Sequence, residues 1–119
     1  MRFPENTGPG QTVADGRAEF TLRLDPGLMA FKGHFPGNPI LPGVMQVDWA
    51  VHFAALAFGP MGAFKGVDFL KFMDPIRPGG DLRLELTLDA SRTALKFTFL
   101  GGDVKKSTGV IRFSGEGID

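Results

Sequence analysis

An apolar segment at residues 44–58 limits what this chain can fold into. Its apolar run is interrupted only by Gln46, Asp48 and His52. Pro42 before the segment and Gly59-Pro60 after it are residues typical of the start and the end of a helix. Because a helix that is apolar on nearly every face has to be buried on nearly every face, we predict a buried helix over residues 44–58 that the rest of the chain wraps.

The rest of the chain predicts strands. Residues 18–24, 82–88 and 95–99 alternate apolar with polar side chains, as in strands with one buried face. Further strands are predicted at 64–73, which is apolar and reads as buried, and at 104–113, while residues 28–33 are compatible with a short strand. Residues 1–17 are predicted to form a loose tail. The order predicts a single α+β domain over residues 1–119, an antiparallel sheet wrapped around one long buried central helix.

Composition argues against several functional classes. The 119 residues include 13 basic and 13 acidic side chains and no cysteine, which argues against a dominant nucleic-acid surface and excludes disulfides and a cysteine nucleophile. The apolar segment would span only about 23 Å as a helix, less than a bilayer core of about 30 Å, and residues 1–16 lack the apolar core of a signal peptide. We therefore expect a cytoplasmic protein without a nucleic-acid or membrane partner.

Candidate chemistry lies in and just before the predicted helix. His34 sits in a Pro- and Gly-rich loop that leads into the helix, and Asp48 lies within its apolar sequence. Burying a carboxylate in apolar surroundings costs desolvation free energy, so its presence there indicates a functional role. Gly43 allows another group to approach the helix start, where free N–H groups and the positive end of the dipole favour a developing oxyanion. No serine elbow, phosphate-binding loop or metal-ligand spacing is present, and no metal site is expected.

The segment GHFPGNPILPGV, from residue 33 to residue 44, resembles the active-site signature of the 3-hydroxyacyl-(acyl carrier protein) dehydratases. That pattern is H-F-P-G-x-P-x-x-P-G-V, with an acidic residue fourteen positions after the histidine, and Asp48 stands fourteen positions after His34. The chain is most similar to the short aryl-polyene, ApeI-like branch, whose signature resembles P-G-V-x-Q-x-D-W-A. Gln46, Asp48, Trp49 and Ala50 fit that variant.

The resemblance implies a hot-dog fold and the dehydration of a 3-hydroxyacyl thioester, linked to acyl carrier protein or CoA, to the trans-2-enoyl thioester. His34 would be the base for the C2 proton, and Asp48 would serve the departing hydroxyl. The Gly43 N–H would stabilise the enolate-like oxygen. Further substrate contacts are expected from these residues: Phe35, Pro42, Val44 and Phe53. The redox-neutral step requires no cofactor.

The resemblance also implies partners. The substrate would arrive on the phosphopantetheine arm of an acyl carrier protein, and the chain would form a homodimer in which His and acid face each other across the interface. Surface lysines are candidates for meeting the acidic carrier: Lys32, Lys65, Lys71, Lys105 and Lys106.

Two departures and two rival functions remain open. Housekeeping dehydratases carry Glu where Asp48 stands, and often Gln where His52 stands. His52 shares a helix face with Asp48, so it is either a packed core residue or a group that tunes Asp48. The rival functions are an acyl thioesterase of the same fold and a catalytically silent acyl-binding or heterodimer subunit.

Overall fold

The computed structural model describes residues 2–8, 12–32, 37 and 39–114, without the side chains of residues 12–14. It confirms the α+β layout, with one helix between the second and third strands. In place of a short strand, the segment after β2 contains a 3-10 turn. The elements in chain order are β1 (Thr12–Ala14), β2 (Arg17–Arg23), the 3-10 turn (Met29–Phe31), α1 (Gly43–Phe58), β3 (Phe64–Phe72), β4 (Asp81–Leu88), β5 (Ala94–Gly101) and β6 (Val104–Phe113).

The six strands form one antiparallel sheet in the order β1-β2-β4-β5-β6-β3. The alternation read from the sequence is confirmed in its burial, since every second residue of β4 is buried beneath α1 or its neighbours, as are Phe97 and Phe99 of β5. The strand that follows the helix, β3, crosses to the far edge and pairs only with β6 among the described residues.

Helix α1 begins and ends at residues suited to those positions. Pro42 caps its start with extended backbone, and Gly59 ends it at a φ of 86° while donating its N–H to the carbonyl of Ala55. One face is buried on the sheet, through these residues: Gln46, Trp49, Ala50, Phe53 and Ala54. The opposite face is open, and Val44 is 75% exposed. The expectation of burial on every face is therefore wrong for the single chain.

Strand β3 was expected to be buried and is instead an exposed edge. Phe69 is 78% exposed, and Phe64, Leu70 and Phe72 are exposed as well. The register to β6 shifts at two points, around Gly66 and between Asp68 and Lys71, and such bulges redirect side chains. The apolar sequence indicated that this strand has a surface to cover, but it carried no information on whether the cover belongs to the same chain.

The N-terminal strap, which we define as residues 2–8, is bound to the sheet. Arg23 donates its backbone N–H to the carbonyl of Glu5 at 2.9 Å, and Thr7 donates to the carbonyl of Thr21 at 2.7 Å. The strap thus pairs with the end of β2, beyond the part paired with β1. The prediction of a loose tail over residues 1–17 is wrong for this segment and for β1, because backbone pairing leaves no apolar periodicity in so short a stretch.

Candidate functional site

The candidate site lies on the open face of α1, where Asp48 is carried in line with Val44, Val51 and Ala55. The Asp48 side chain is 35% exposed, and its Oδ2 lies 3.3 Å from Nη2 of Arg2. The carboxylate is therefore half-buried and paired, in contrast to the apolar burial that its sequence surroundings indicated. It is accessible to a molecule that approaches the helix from outside.

His52 lies one turn after Asp48 and is packed between two phenylalanines. Its ring stacks on Phe3, with centroids 3.7 Å apart and an interplanar angle of 4°, and meets Phe53 edge-on at 4.9 Å. Burial lowers the pKa of His52, the negative charge of Asp48 acts in the opposite direction, and the positive charge of Arg2 adds to the lowering. The imidazole is therefore a packed ring that favours its neutral form.

A cavity of about 310 Å³ lies at the start of α1. A Cβ built on Gly43 would lie only 2.5 Å from Cζ of Phe72. The Phe72 side chain of β3 therefore packs so close to the start of α1 that only glycine fits there without a shift of the ring. Met45 and Gln46 donate their backbone N–H groups to the carbonyl of Pro42 at 3.0 and 3.1 Å. The N–H groups of Gly43 and Val44 have no acceptor within the helix, which leaves these two for an anionic oxygen. The lining residues are Ile40, Leu41, Pro42, Gly43, Gln46, Phe72, Met73, Asp74 and Pro75.

A buried polar network holds the loop that leads into this helix. Gln46 donates its Nε2 hydrogen to the carbonyl of Leu41 at 3.2 Å, and Ser107 on β6 donates its hydroxyl to Oε1 of Gln46 at 2.6 Å. Both polar side chains are buried. Gln46 therefore ties the loop, the helix and the sheet together directly beside the cavity.

The predicted site residues differ in where they lie. His34 and Phe35 fall outside the described residues, so their placement stays a prediction. Pro42 and Gly43 line the cavity, and Val44 is exposed on the same face as Asp48. Phe53 is in the core, against Phe20 at a centroid distance of 4.9 Å, and its contact with substrate stays a prediction.

Sequence reasoning missed four residues of this region. Arg2 and Phe3 were assigned to the loose tail. Ser107 and Phe72 lie in strands, where nothing local connects them with the helix. For Ser107 one signal was available, since it shares the buried phase of β6 with Ile111 and Phe113.

Among the residues that the structure describes, no three His, Asp or Glu side chains are grouped as a metal site would require. In the same part of the chain, no helix has the length and the apolarity needed to cross a membrane.

The layout of one helix against an antiparallel sheet is that of a hot-dog protein. A chain of the dehydratase heterocomplex ApeI:P from Xenorhabdus doucetiae superimposes with a TM-score of 0.83 at 35% identity, over 92% of this chain and 96% of that one. This similarity confirms the hot-dog fold. Residues 10–110 match the model of the ApeI-like family, described as ApeI dehydratase. The chain belongs to the ApeI-like dehydratase family.

Curated relatives lie in the wider dehydratase group. The 3-hydroxyacyl-[acyl-carrier-protein] dehydratase FabZ of Roseiflexus sp. is 33% identical, over 80% of this chain and 73% of that protein. FabZ of Caldanaerobacter subterraneus subsp. tengcongensis is 40% identical, over 55% of this chain and 51% of that protein. The chain thus spans about half the length of the first curated relatives that it matches.

Proposed function

We propose that this chain catalyses the dehydration of a 3-hydroxyacyl thioester to the trans-2-enoyl thioester, in fatty-acid or aryl-polyene lipid synthesis. The observation that carries the proposal is the position of Asp48. Its carboxylate stands on the open helix face fourteen residues after His34, about 7.5 Å along the helix axis from Gly43. Membership of the ApeI-like family supports the same reaction.

The reaction divides among three groups. His34 would take the C2 proton, and the electrons of that C–H bond would form the C2–C3 double bond as the C3–O bond breaks. Asp48 would either deliver a proton to the leaving hydroxyl or, as a carboxylate, orient that hydroxyl while the His34 imidazolium passes the C2 proton to it, so that the group departs as water. The negative charge that develops on the thioester oxygen would be stabilised by the N–H of Gly43, a residue that lines the cavity at the helix start.

Substrate contacts follow from the same geometry. Pro42 and Gly43 line the cavity, and Phe72 and Met73 supply apolar surface on its other side. Val44 faces outward beside Asp48. These positions suit an acyl thioester that lies across the helix start, with Phe35 and Phe53 as further proposed contacts.

We further propose a homodimer that shares its active sites. The support is the exposed apolar edge of β3 together with the open face of α1, since exposed apolar patches on edge strands are typical of interfaces. The similar Xenorhabdus doucetiae chain comes from a heterocomplex, so association with a different subunit is the alternative outcome of the same measurement.

An acyl carrier protein is the proposed bearer of the substrate, with CoA as the alternative carrier. Of the candidate lysines, Lys106 is already engaged, because its Nζ contacts the Asp74 carboxylate and the carbonyl of Pro75. The other four candidates are exposed and are better placed to meet an acidic partner: Lys32, Lys65, Lys71 and Lys105.

The test is to incubate the purified chain with 3-hydroxyacyl thioesters of short, medium and aryl type and to follow the enoyl product. We expect loss of water, abolished in His34→Ala and reduced to a small residual rate in Asp48→Asn. Release of free thiol without loss of water would indicate a thioesterase. No turnover, together with association only with a second protein, would indicate a silent subunit.

A further inference from the structure

The first two residues of the N-terminal strap contact the two polar residues of the open helix face, Asp48 and His52. Arg2 reaches Asp48 through Nη2 at 3.3 Å, and the Phe3 ring covers His52 at 3.7 Å. Arg2 also lies 4.9 Å from the centroid of the Phe3 ring. Asp48 and His52 are i and i+4 neighbours, so adjacent strap residues touch adjacent positions of one helical stripe.

The strap is held in place at a distance from these contacts. Asn6 accepts hydrogen bonds at Oδ1 from the backbone of Thr21 at 3.2 Å and of Gly8 at 3.3 Å, and it also bridges to Leu22 of β2. Pro4 is buried between this anchor and Phe3. The N-terminal part of the strap, Arg2 and Phe3, is therefore held by the sheet as well as by the helix.

We propose that Arg2 and Phe3 are positioning residues for Asp48, an inference that rests on the proposed function. Phe3 holds the His52 ring still beside the carboxylate, and Arg2 binds Oδ2, so that Oδ1 is directed at the leaving hydroxyl. Because an exposed ion pair stabilises a fold only weakly, the effect belongs to orientation and not to folding.

The first test is Arg2→Ala. We expect kcat to fall roughly 10-fold, since a small misplacement of a reacting group can lower a rate by up to about 100-fold, with KM within about 2-fold of wild type and an unchanged melting temperature. Arg2→Lys keeps a cation within reach and should recover part of kcat. Lys96→Ala, an exposed change on β5, is the matched control and should leave kcat unaltered.

Two variants test the strap away from the carboxylate. Asn6→Ala removes the side-chain bonds to the backbone of Thr21 and Gly8 without touching α1, while the backbone bonds of the strap to β2 remain. It should lower kcat in the same direction as Arg2→Ala, but by less. Phe3→Ala should also lower kcat, and it has a readout independent of turnover. With the ring removed, the His52 imidazole becomes more exposed, and its NMR-measured pKa should rise towards the ordinary value.

Comparing Arg2→Ala, Asp48→Asn and the variant that carries both changes distinguishes a failure of this inference from a failure of the proposed function. If Asp48→Asn keeps wild-type activity, the proposed role of Asp48 fails. If Asp48→Asn is impaired while Arg2→Ala and Phe3→Ala match wild type or exceed it, the positioning role is overturned. If Arg2→Ala lowers the residual activity of Asp48→Asn by its full single-variant factor, Arg2 acts elsewhere and the inference is likewise overturned. We expect no further loss in that double variant.

Discussion

Phe3 lies flat on the imidazole of His52, with ring centroids 3.7 Å apart and an interplanar angle of 4°. This stack joins the start of the chain to the stripe of α1 that carries Asp48. It also explains why burial lowers the pKa of a histidine on the otherwise open helix face.

His52 should make the folded state less stable in mild acid. Its unfolded pKa is near 6.5 and its folded pKa is lower, so between these values the unfolded chain binds the proton first. Stability is therefore lost as pH falls below 6.5 and levels off below the folded pKa. Urea unfolding from pH 8 to pH 5 should show a larger loss in wild type than in His52→Gln. Equal losses in the two proteins would contradict this prediction.

Gly43→Ala should impair activity far more than stability. The added Cβ would lie 2.5 Å from the tip of the Phe72 ring, which is half exposed and able to shift, so the loss of stability should be below about 1 kcal/mol. The shifted ring, however, would enter the cavity at the helix start, and we expect kcat/KM to fall about 10-fold. Phe72→Ala in the same chain should restore part of it. An unchanged kcat/KM in Gly43→Ala would contradict the proposed role of Gly43 in the reaction.

Gln46→Leu should destabilise the fold by about 2–4 kcal/mol, because the Leu41 carbonyl and the Ser107 hydroxyl both lose a buried partner. Ser107→Ala removes only one of these bonds and should cost about 1–2 kcal/mol. Urea denaturation of both variants and of the double variant checks this. We expect the double variant to be less destabilised than the two single effects added together, since they share a bond. Strict additivity would count against the network.

Phe69→Glu should break the proposed homodimer. The side chain is exposed on the β3 edge in the single chain, and a buried charge at an interface is strongly unfavourable. Native mass spectrometry should show a dimer for wild type and a shift towards monomer for this variant. Val104→Glu, at an apolar and exposed position where β6 begins after the β5–β6 turn, is the control and should remain dimeric. A wild-type chain that is monomeric until a second subunit is added would favour a heterocomplex.

Local patterns identified most of the elements. Strands β2, β4 and β5 were predicted because one face of each is buried and the other is exposed to solvent, which leaves a period of two in the sequence. Strand β6 was predicted as well, without that alternation. The helix was predicted from its apolar run and its Pro and Gly borders. The spacing of His34 and Asp48 predicted the family, although the geometry of His34 stays a prediction.

Long-range contacts left no comparable pattern. Residues 2–8 have no apolar periodicity, because the strap is held by backbone hydrogen bonds and by Asn6. The contacts of the strap with Asp48 and His52 could therefore not be predicted from the sequence. The apolar run of β3 was misread as burial within the chain, since hydrophobicity does not distinguish an internal neighbour from an external one. Gln46 and Ser107 stand 61 positions apart, and no local rule pairs them.

The sequence by itself thus determined helix α1 and the strands β2 to β6, the buried face of the sheet and the acid at its place on the helix, because these depend on neighbours within a few residues. Only the tertiary structure decided which face of α1 stays open, that the start of the chain reaches that face, and that Phe72 approaches Gly43. Those features depend on contacts between segments far apart in the chain, where the geometry of the packed sheet and helix selects the partners.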